Sequence, residues 1–463
     1  MTTDLFPLQY DRIAALLAPY DAYLVGGAVR DLLLDLPIHD LDFALPSDTL
    51  AAGKLLADQL GGAVFTLDER RATVRVILGG GGDPRLVVDL TLFQGDTIEE
   101  DLAARDFTIT SMALRSGVDH PVIDPFNGAQ DLREGLIRST SDRALADDPL
   151  RCLRAVRLAA QLDFQILPDT IDLIRKYHHQ LADVSPERIR DELFRILEGP
   201  RQAAALLAMQ ALGMYGYVLP GQLADRHSLR LRNLEAIWSL LLEPHDQDRA
   251  GDWFRGLLVH RLGRYREQVR GLLDAEPVPG RSIRQLSLLL PLIEDFSMET
   301  PADSIRQVLS ALSLSNQEIT LLEGALQSAE NFLDLTDTGN PPQPLDIYRY
   351  YRGQGESGLL GVFLGLARYF GTQGLEREAW INQLECARAL LEGFWDRYEQ
   401  WVDPPVLVDG SRILKEFSLQ PGPKIGYLLE KLKEEQVHRE LETVESALDF
   451  LKSEITQLNG PPS

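Results

Sequence analysis

Asp40 and Asp42 stand at i and i+2 in the stretch Asp40-Leu41-Asp42-Phe43, where acidic and apolar residues alternate. On a strand that spacing puts both carboxylates on one face. Two neighbouring carboxylates, completed by phosphate oxygens and water, suit the octahedral, oxygen-seeking magnesium ion. Just upstream, Tyr23-Leu24-Val25 reads as a strand broken by Gly26-Gly27, with a helix following from Ala28 to Leu34. Glycines at such a turn let backbone N–H groups approach a phosphate with no Cβ in the way. Arg30, four positions on, adds charge-assisted contacts to a triphosphate or holds the turn by pairing with an acid. The spacing fits neither the G-x-G-x-x-G nor the Walker pattern. A Gly-Gly pair alone is a common turn, and an Asp-x-Asp pair alone is usually a solvated strand face. Both on one strand–turn–helix–strand unit point to metal-dependent transfer of a nucleotide, in which two metal ions would activate a sugar hydroxyl and stabilise the departing pyrophosphate.

The elements that must position these residues are short. Leu41–Leu45, Ala72–Leu78 and Leu86–Phe93 read as strands, Gly79 to Pro84 as the turn between the last two, and Asp101–Leu114 as a helix. After Asp124-Pro125-Phe126 the character changes. From about residue 145 nearly every stretch carries helical periodicity, as in LRCLRAVRLAAQL and PERIRDELFRIL, and strand signals almost vanish. Ser185 followed by Pro186 marks a helix start. Breaks at 243–252, 274–282 and 335–344 separate helical subdomains.

With 463 residues, two to four packed units are expected. No apolar run reaches the roughly 18–20 residues that span a bilayer. The N-terminal stretch lacks a basic region followed by an apolar one, and the two cysteines, Cys152 and Cys386, have no metal-ligand spacing. These features predict a cytoplasmic protein without a disulfide framework or a membrane contact. The net charge of −24 argues against a broad, sequence-blind binder of polyanions, though a local basic groove can sit on an acidic body.

The segment LVGGAVRDLLLDLPIHDLDFAL (24–45) resembles the signature of the class II tRNA nucleotidyltransferase and bacterial poly(A) polymerase family, within the polymerase-β superfamily. Further segments match in the family's order: DLAARDFTITSMAL (101–114), DPFNGAQDLREGLIRST (124–140), DDPLRCLRAVRLAAQLDF (147–164), SPERIRDEL (185–193) and VLVDGSRILKEFSLQPGPKIGYLLEKL (406–432). The resemblance implies an α+β fold, a polymerase-β-like head of mixed sheet and helices on an elongated all-α body. It implies a catalytic head over 1–140, a helical neck with the nucleotide-selecting motif over 141–200, a helical body over 201–335 and a tRNA-binding helical tail over 336–463. Asp40 and Asp42 fall on the family's metal-binding carboxylates and Asp89 where the superfamily places a third acid. Gly26, Gly27, Arg30 and Asp31 fall on the phosphate-side turn, and Arg105 and Asp106 on the Arg-Asp of the second motif. Asp148 and Arg151 match the acid and arginine that serve as an amino-acid template for the incoming base, with Arg154 and Arg157 following on the same helix toward the triphosphate. Glu187, Arg188 and Glu192 are expected to brace that helix, and His39, on the opposite strand face, is assigned no ligand role.

The template has a simple physical basis. Arginine only donates hydrogen bonds and a carboxylate only accepts them. Cytosine and adenine each present an amino donor beside a ring-nitrogen acceptor, so one Asp and one Arg serve both, while uracil and guanine mismatch. Outside such a motif, Asp148 and Arg151 would be an ordinary i,i+3 helix pair. The chain departs from the family at Asp147, where Glu is common, at Ala104, where Arg is common, and at Thr110, where Asn is common. These positions bear on nucleotide preference and ribose contacts. The expected activity is template-independent, magnesium-dependent addition of CMP, AMP or both from CTP and ATP to the 3′ end of tRNA, by a monomer or homodimer. A CC- or A-adding enzyme, a poly(A) polymerase on general RNA, a transferase acting on a small molecule, and a catalytically silent RNA-binding protein are the alternatives. The C-terminus is not basic, which favours a folded tRNA over RNAs of varied shape. His178-His179 and His245-Asp246 are isolated and expected at the surface.

Overall fold

The computed structural model describes residues 6–7, 9–38, 40–69, 71–79, 86–117, 121–243, 253–296, 304–370, 376–439, 441 and 443–458. His39, the Gly80–Pro84 part of the anticipated turn, most of the 243–252 break and His245-Asp246 lie outside them. The chain divides into two units, residues 1–222 and 223–463.

The first unit begins with helix α1 (Tyr10–Leu17) and strand β1 (Tyr23–Val25), then α2 (Gly27–Leu33), β2 (Asp40–Leu45) and α3 (Thr49–Leu60). Three strands follow, β3 (Gly62–Asp68), β4 (Thr73–Leu78) and β5 (Leu86–Leu92), then α4 (Ile98–Ala103) and β6 (Ala113–Arg115). The six strands form one mixed sheet in the order β3-β4-β5-β2-β1-β6. β2 and β5 run parallel, and the other neighbours are antiparallel. Alternation decides what each face does. Val74 and Val76 on β4 are buried and, with Val64 of β3, lie under Gly53 of α3, where a Cβ would meet Val74 at 2.8 Å. Only glycine lets α3 approach that closely. The opposite face of the sheet carries the acids.

The anticipated helix over 101–114 is not what forms. α4 stops at Ala103, Thr108–Thr110 makes one 3-10 turn, and Ala113–Arg115 joins the sheet beside β1. Asp106 is the reason: its carboxylate takes the N–H of Phe107 at 3.0 Å and the hydroxyl of Thr110 at 2.6 Å, offering the backbone a local alternative to the helix. β3 carries no clear strand signal, because an edge strand exposed on much of its length lacks the buried stripe that marks one.

From α5 (Gly128–Glu134) onward the first unit is mainly helical, with α6 (Ala144–Asp147), α7 (Arg151–Leu162), α8 (Pro168–Tyr177), α9 (Pro186–Leu197), α10 (Gln202–Ala211) and α11 (Tyr215–Val218), and a two-residue parallel pairing of Leu136–Ile137 with Gln165–Ile166. Ser185 occupies the N-cap position of α9 with Pro186 first inside, but its side chain makes no capping bond. His178 and His179 sit in a 3-10 turn, with His178 packed edge-on against Tyr217.

Among the described residues, the regular elements of the second unit are helices, the longest spanning Asn316–Asp337. That helix opens with a reciprocal capping box between Ser315 and Glu318. Loops fall at 275–282 and 338–343, as the breaks in helical pattern predict. Toward the end of the chain Val408, Ile413, Leu428, Leu432, Ala447 and Leu451 make a small core of their own. No helix among the described residues is long and apolar enough to cross a membrane.

Candidate active site

The parallel pairing of β2 with β5 sets Asp42 directly opposite Asp89, with Asp40 two residues earlier opposite Val87. All three carboxylates therefore share one face of the sheet. Asp42 is pushed up to about 6, first by burial and then by the neighbouring charges of Asp89 and Asp40. Asp89 has a partner that sequence reasoning misses. Arg75, opposite it on β4, donates from Nε to Oδ1 at 2.8 Å and from Nη2 to Oδ2 at 2.7 Å. A lone charged residue within the apolar Val74–Leu78 run is the signal that points to it.

The turn before α2 sits against these acids. Gly26 has φ +70°, and a Cβ there would lie 3.3 Å from Arg105 Nη1 and 3.8 Å from Asp42 Oδ2. The first N–H groups of α2 lack partners within the helix, as at any helix start. Arg30 is buried beneath the turn, 3.5 Å from a Cβ position on Gly27, and is held by Asp31 through its Nε at 2.7 Å.

Arg105 joins this region to a second one. Its Nε and Nη2 donate to Asp101 Oδ2 at 3.0 and 2.9 Å, and it lines a cavity of about 410 Å³ together with Asp106, Asp148, Arg151, Arg154, Arg188 and Arg195. Counting Asp191 and Glu192, five arginines face four acids there. On a chain of net charge −24 this lining stands out by being nearly charge-balanced. Asp106 is buried and accepts from Arg154 Nε at 2.7 Å. Burial works to raise its pKa, but Arg154 and the Thr110 hydroxyl prevail and hold it at about 2.

The proposed template pair is braced from both sides. Arg188 of α9 donates to Asp148 Oδ2 at 2.7 Å, and the backbone N–H of Leu150 reaches Oδ1 at 3.3 Å. Arg151 donates to the carbonyls of Ala144 at 3.0 Å and Ala104 at 2.8 Å, tying α7 back to the second motif. Burial lowers the Arg151 pKa, opposed by Asp106 and Asp148. A guanidinium has five N–H groups and a carboxylate about four acceptor positions, so both keep capacity for a base edge. Arg157 is placed elsewhere. It does not line the cavity, and its Nε donates to the buried Glu192 at 2.5 Å and its Nη1 to Gln161 at 3.0 Å.

These residues fit a divalent cation. Asp40 and Asp42 would supply two hard oxygen ligands beside a third acid, Asp89, a concentration of negative charge of the kind such an ion neutralises. No group of three His, Cys, Asp or Glu side chains is assembled as a metal cage among the described residues. Magnesium does not need one, since it keeps several waters and takes one or two carboxylates plus substrate phosphates.

Comparison with known proteins gives the family and the fold. The family described as "Poly A polymerase head domain" matches residues 22–138, and the one described as "Probable RNA and SrmB- binding site of polymerase A" matches residues 163–225. A CC-adding tRNA nucleotidyltransferase of Geobacter sulfurreducens is 32% identical over 447 residues, covering 94% of this chain and 93% of its own. An A-adding tRNA nucleotidyltransferase of Deinococcus radiodurans is 31% identical over 455 residues, covering 94% and 95%. The fold matches that of the Bacillus stearothermophilus CCA-adding enzyme in complex with CTP, with a TM-score of 0.68 and 22% identity over 99% of this chain and 100% of that one. With relatives this similar along nearly its whole length, the chain belongs to the class II CCA-adding tRNA nucleotidyltransferase and poly(A) polymerase family of the polymerase-β superfamily, and is a nucleotidyltransferase.

Proposed function

We propose that this enzyme adds CMP and AMP, without a nucleic-acid template, to the 3′ end of tRNA, using CTP and ATP and releasing pyrophosphate. The observation that carries the reading is the register of Asp42 against Asp89, joined through Arg105 to an arginine-lined cavity. In it, the turn at Gly26-Gly27 and the start of α2 receive the triphosphate, and Arg105 and Arg154 balance its charge. Asp148 accepts from the amino group of cytosine or adenine while Arg151 donates to the adjacent ring nitrogen. Uracil and guanine would leave these groups unpaired, at about 1–3 kcal/mol for each. Asp40 and Asp42 would hold Mg2+, with Asp89 beside them, and the bound ions would supply charge stabilisation for the attacking and leaving oxygens. The protein's own part is positioning: the sheet face sets the 3′ hydroxyl in line with the α-phosphate.

The helical body (201–335) and tail (336–463) would grip the tRNA, and the last helices of the chain close a small apolar core around Leu428 and Leu451. A cytoplasmic site suits this substrate and two buried, unpaired cysteines. The working unit is a monomer or a homodimer, which sedimentation distinguishes.

A second reading, addition of only CC or only A, is favoured by one observation. The two relatives above that are similar along 94% of this chain are a CC-adding and an A-adding enzyme. One experiment tests both readings: tRNA transcripts ending at the discriminator base, in C, in CC and in CCA, incubated with labelled CTP, ATP or both, and separately with labelled UTP or GTP. Labelling of the first three with CMP or AMP supports the proposal, and the pattern chooses the product. No labelling, or equal labelling from UTP and GTP, overturns it.

A further inference from the structure

The acids do not stand alone on their face of the sheet. Following the row outward, Asp42 of β2 lies opposite Asp89 of β5, Asp89 opposite Arg75 of β4, and Arg75 opposite Phe65 of β3. The adjacent row, Asp40, Val87, Ile77 and Ala63, runs parallel to it on the same face. The other face is closed by α3 over Val64, Val74 and Val76, so these rows are on the open side. β3 is the edge strand, and its Phe65 is 49% exposed, an unusual place for an aromatic ring with no core to fill. Arg75 beside it is also largely open, its side chain 41% exposed.

Neighbouring strands lie about 4.8 Å apart, so three steps put Phe65 about 14 Å from Asp42 along the sheet. Single-stranded RNA covers that distance in a few nucleotides. If the 3′ hydroxyl reacts at the acids, the nucleotides just before it must cross or leave this face. Aromatic rings and guanidinium planes are the surfaces on which unstacked bases settle, and such stacking tolerates any base.

We propose that Phe65, flanked by Arg75, is the stacking platform for the nucleotides immediately preceding the reacting 3′ end of the RNA. Phe65 is a positioning residue in this scheme, and the inference rests on the proposed transfer to an RNA 3′ end. It commits the exposed edge of β3 to RNA. Pairing of that edge with a second copy of the chain is the competing use.

The test uses the full chain and a tRNA transcript ending in C, with CTP as donor. Phe65→Ala is expected to raise the KM for RNA about ten-fold, with a far smaller effect on the KM for CTP, and Phe65→Trp to restore it. A 2-aminopurine placed one or two positions before the 3′ end should be quenched on binding the wild type and bright on Phe65→Ala. Because Phe65 fills no core, its replacement should leave the melting temperature in place. Equal RNA KM values, or equal quenching, in wild type and Phe65→Ala overturn the proposal. So does an RNA-independent loss of dimers in Phe65→Ala that accounts for the whole effect. Failure of the wild type itself to extend the transcript strikes instead at the function on which the proposal rests.

Discussion

Arg75 and Asp89 face each other across neighbouring antiparallel strands and are joined by two parallel hydrogen bonds of 2.8 and 2.7 Å. The pair stands next to Asp42, whose carboxyl already resists ionisation. Arg75 thus supplies the counter-charge that lets Asp89 sit beside Asp42 in the metal-free protein. Because the pair is partly exposed, Arg75→Ala is expected to cost only about 1 kcal/mol of stability without metal. Added magnesium should then raise the melting temperature of the variant more than that of the wild type. Equal magnesium-induced shifts in both proteins would show that Arg75 does not balance this charge.

Asp42→Ala and Asp40→Ala remove oxygen ligands without opening the hydrophobic core. Each is expected to lower nucleotide incorporation roughly a thousand-fold or more, the scale of several kcal/mol of charge stabilisation. Melting temperatures should hold or rise, since repulsion between acids is relieved. Wild-type rates in either variant with magnesium present would remove these residues from the chemistry.

Gly26→Ala tests the turn. At φ +70° and ψ −135° a Cβ is strained by about 1–3 kcal/mol, and here it would also press on Arg105 Nη1 at 3.3 Å. The expected result is a higher KM for CTP and ATP and a lower kcat, with the protein still folded. Unchanged steady-state constants would mean that the triphosphate does not lie against this turn.

Asp106 predicts a pH dependence. Its carboxyl is held at about 2, below the ordinary 3.8, so it contributes stability fully above pH 3.8 that is lost as pH falls toward 2. Asp106→Asn should therefore be less stable than the wild type by about 2 kcal/mol at neutral pH. The gap should stay constant down to about pH 4 and close below it. A gap that persists at pH 2 would mean that packing, and not the ion pair with Arg154, carries the difference.

Much of the site is legible in the order of residues along the chain. The Asp40-x-Asp42 spacing and the Gly26-Gly27 turn each follow from local rules: alternation on a strand and backbone freedom without a Cβ. Helical periodicity after residue 145 is equally local, and among the described residues the regular elements there are helices apart from one short strand at Gln165–Ile166. The segment 101–114 misleads because its apolar spacing suits a helix, while the carboxylate of Asp106 binds the backbone in a way that no periodicity reveals.

The sequence by itself therefore determined the kind of chemistry, since residue type and short spacing suffice to choose metal-assisted transfer onto a phosphate. Only the tertiary structure decided who meets whom. It set Asp89 against Asp42 and Arg75 against Asp89, sent Arg154 to Asp106 and Arg188 to Asp148, and turned Arg157 away to Glu192. Those partnerships depend on strand register and helix packing between residues 14 to 48 positions apart. An arginine has many acids within reach in principle, and only the folded geometry selects one.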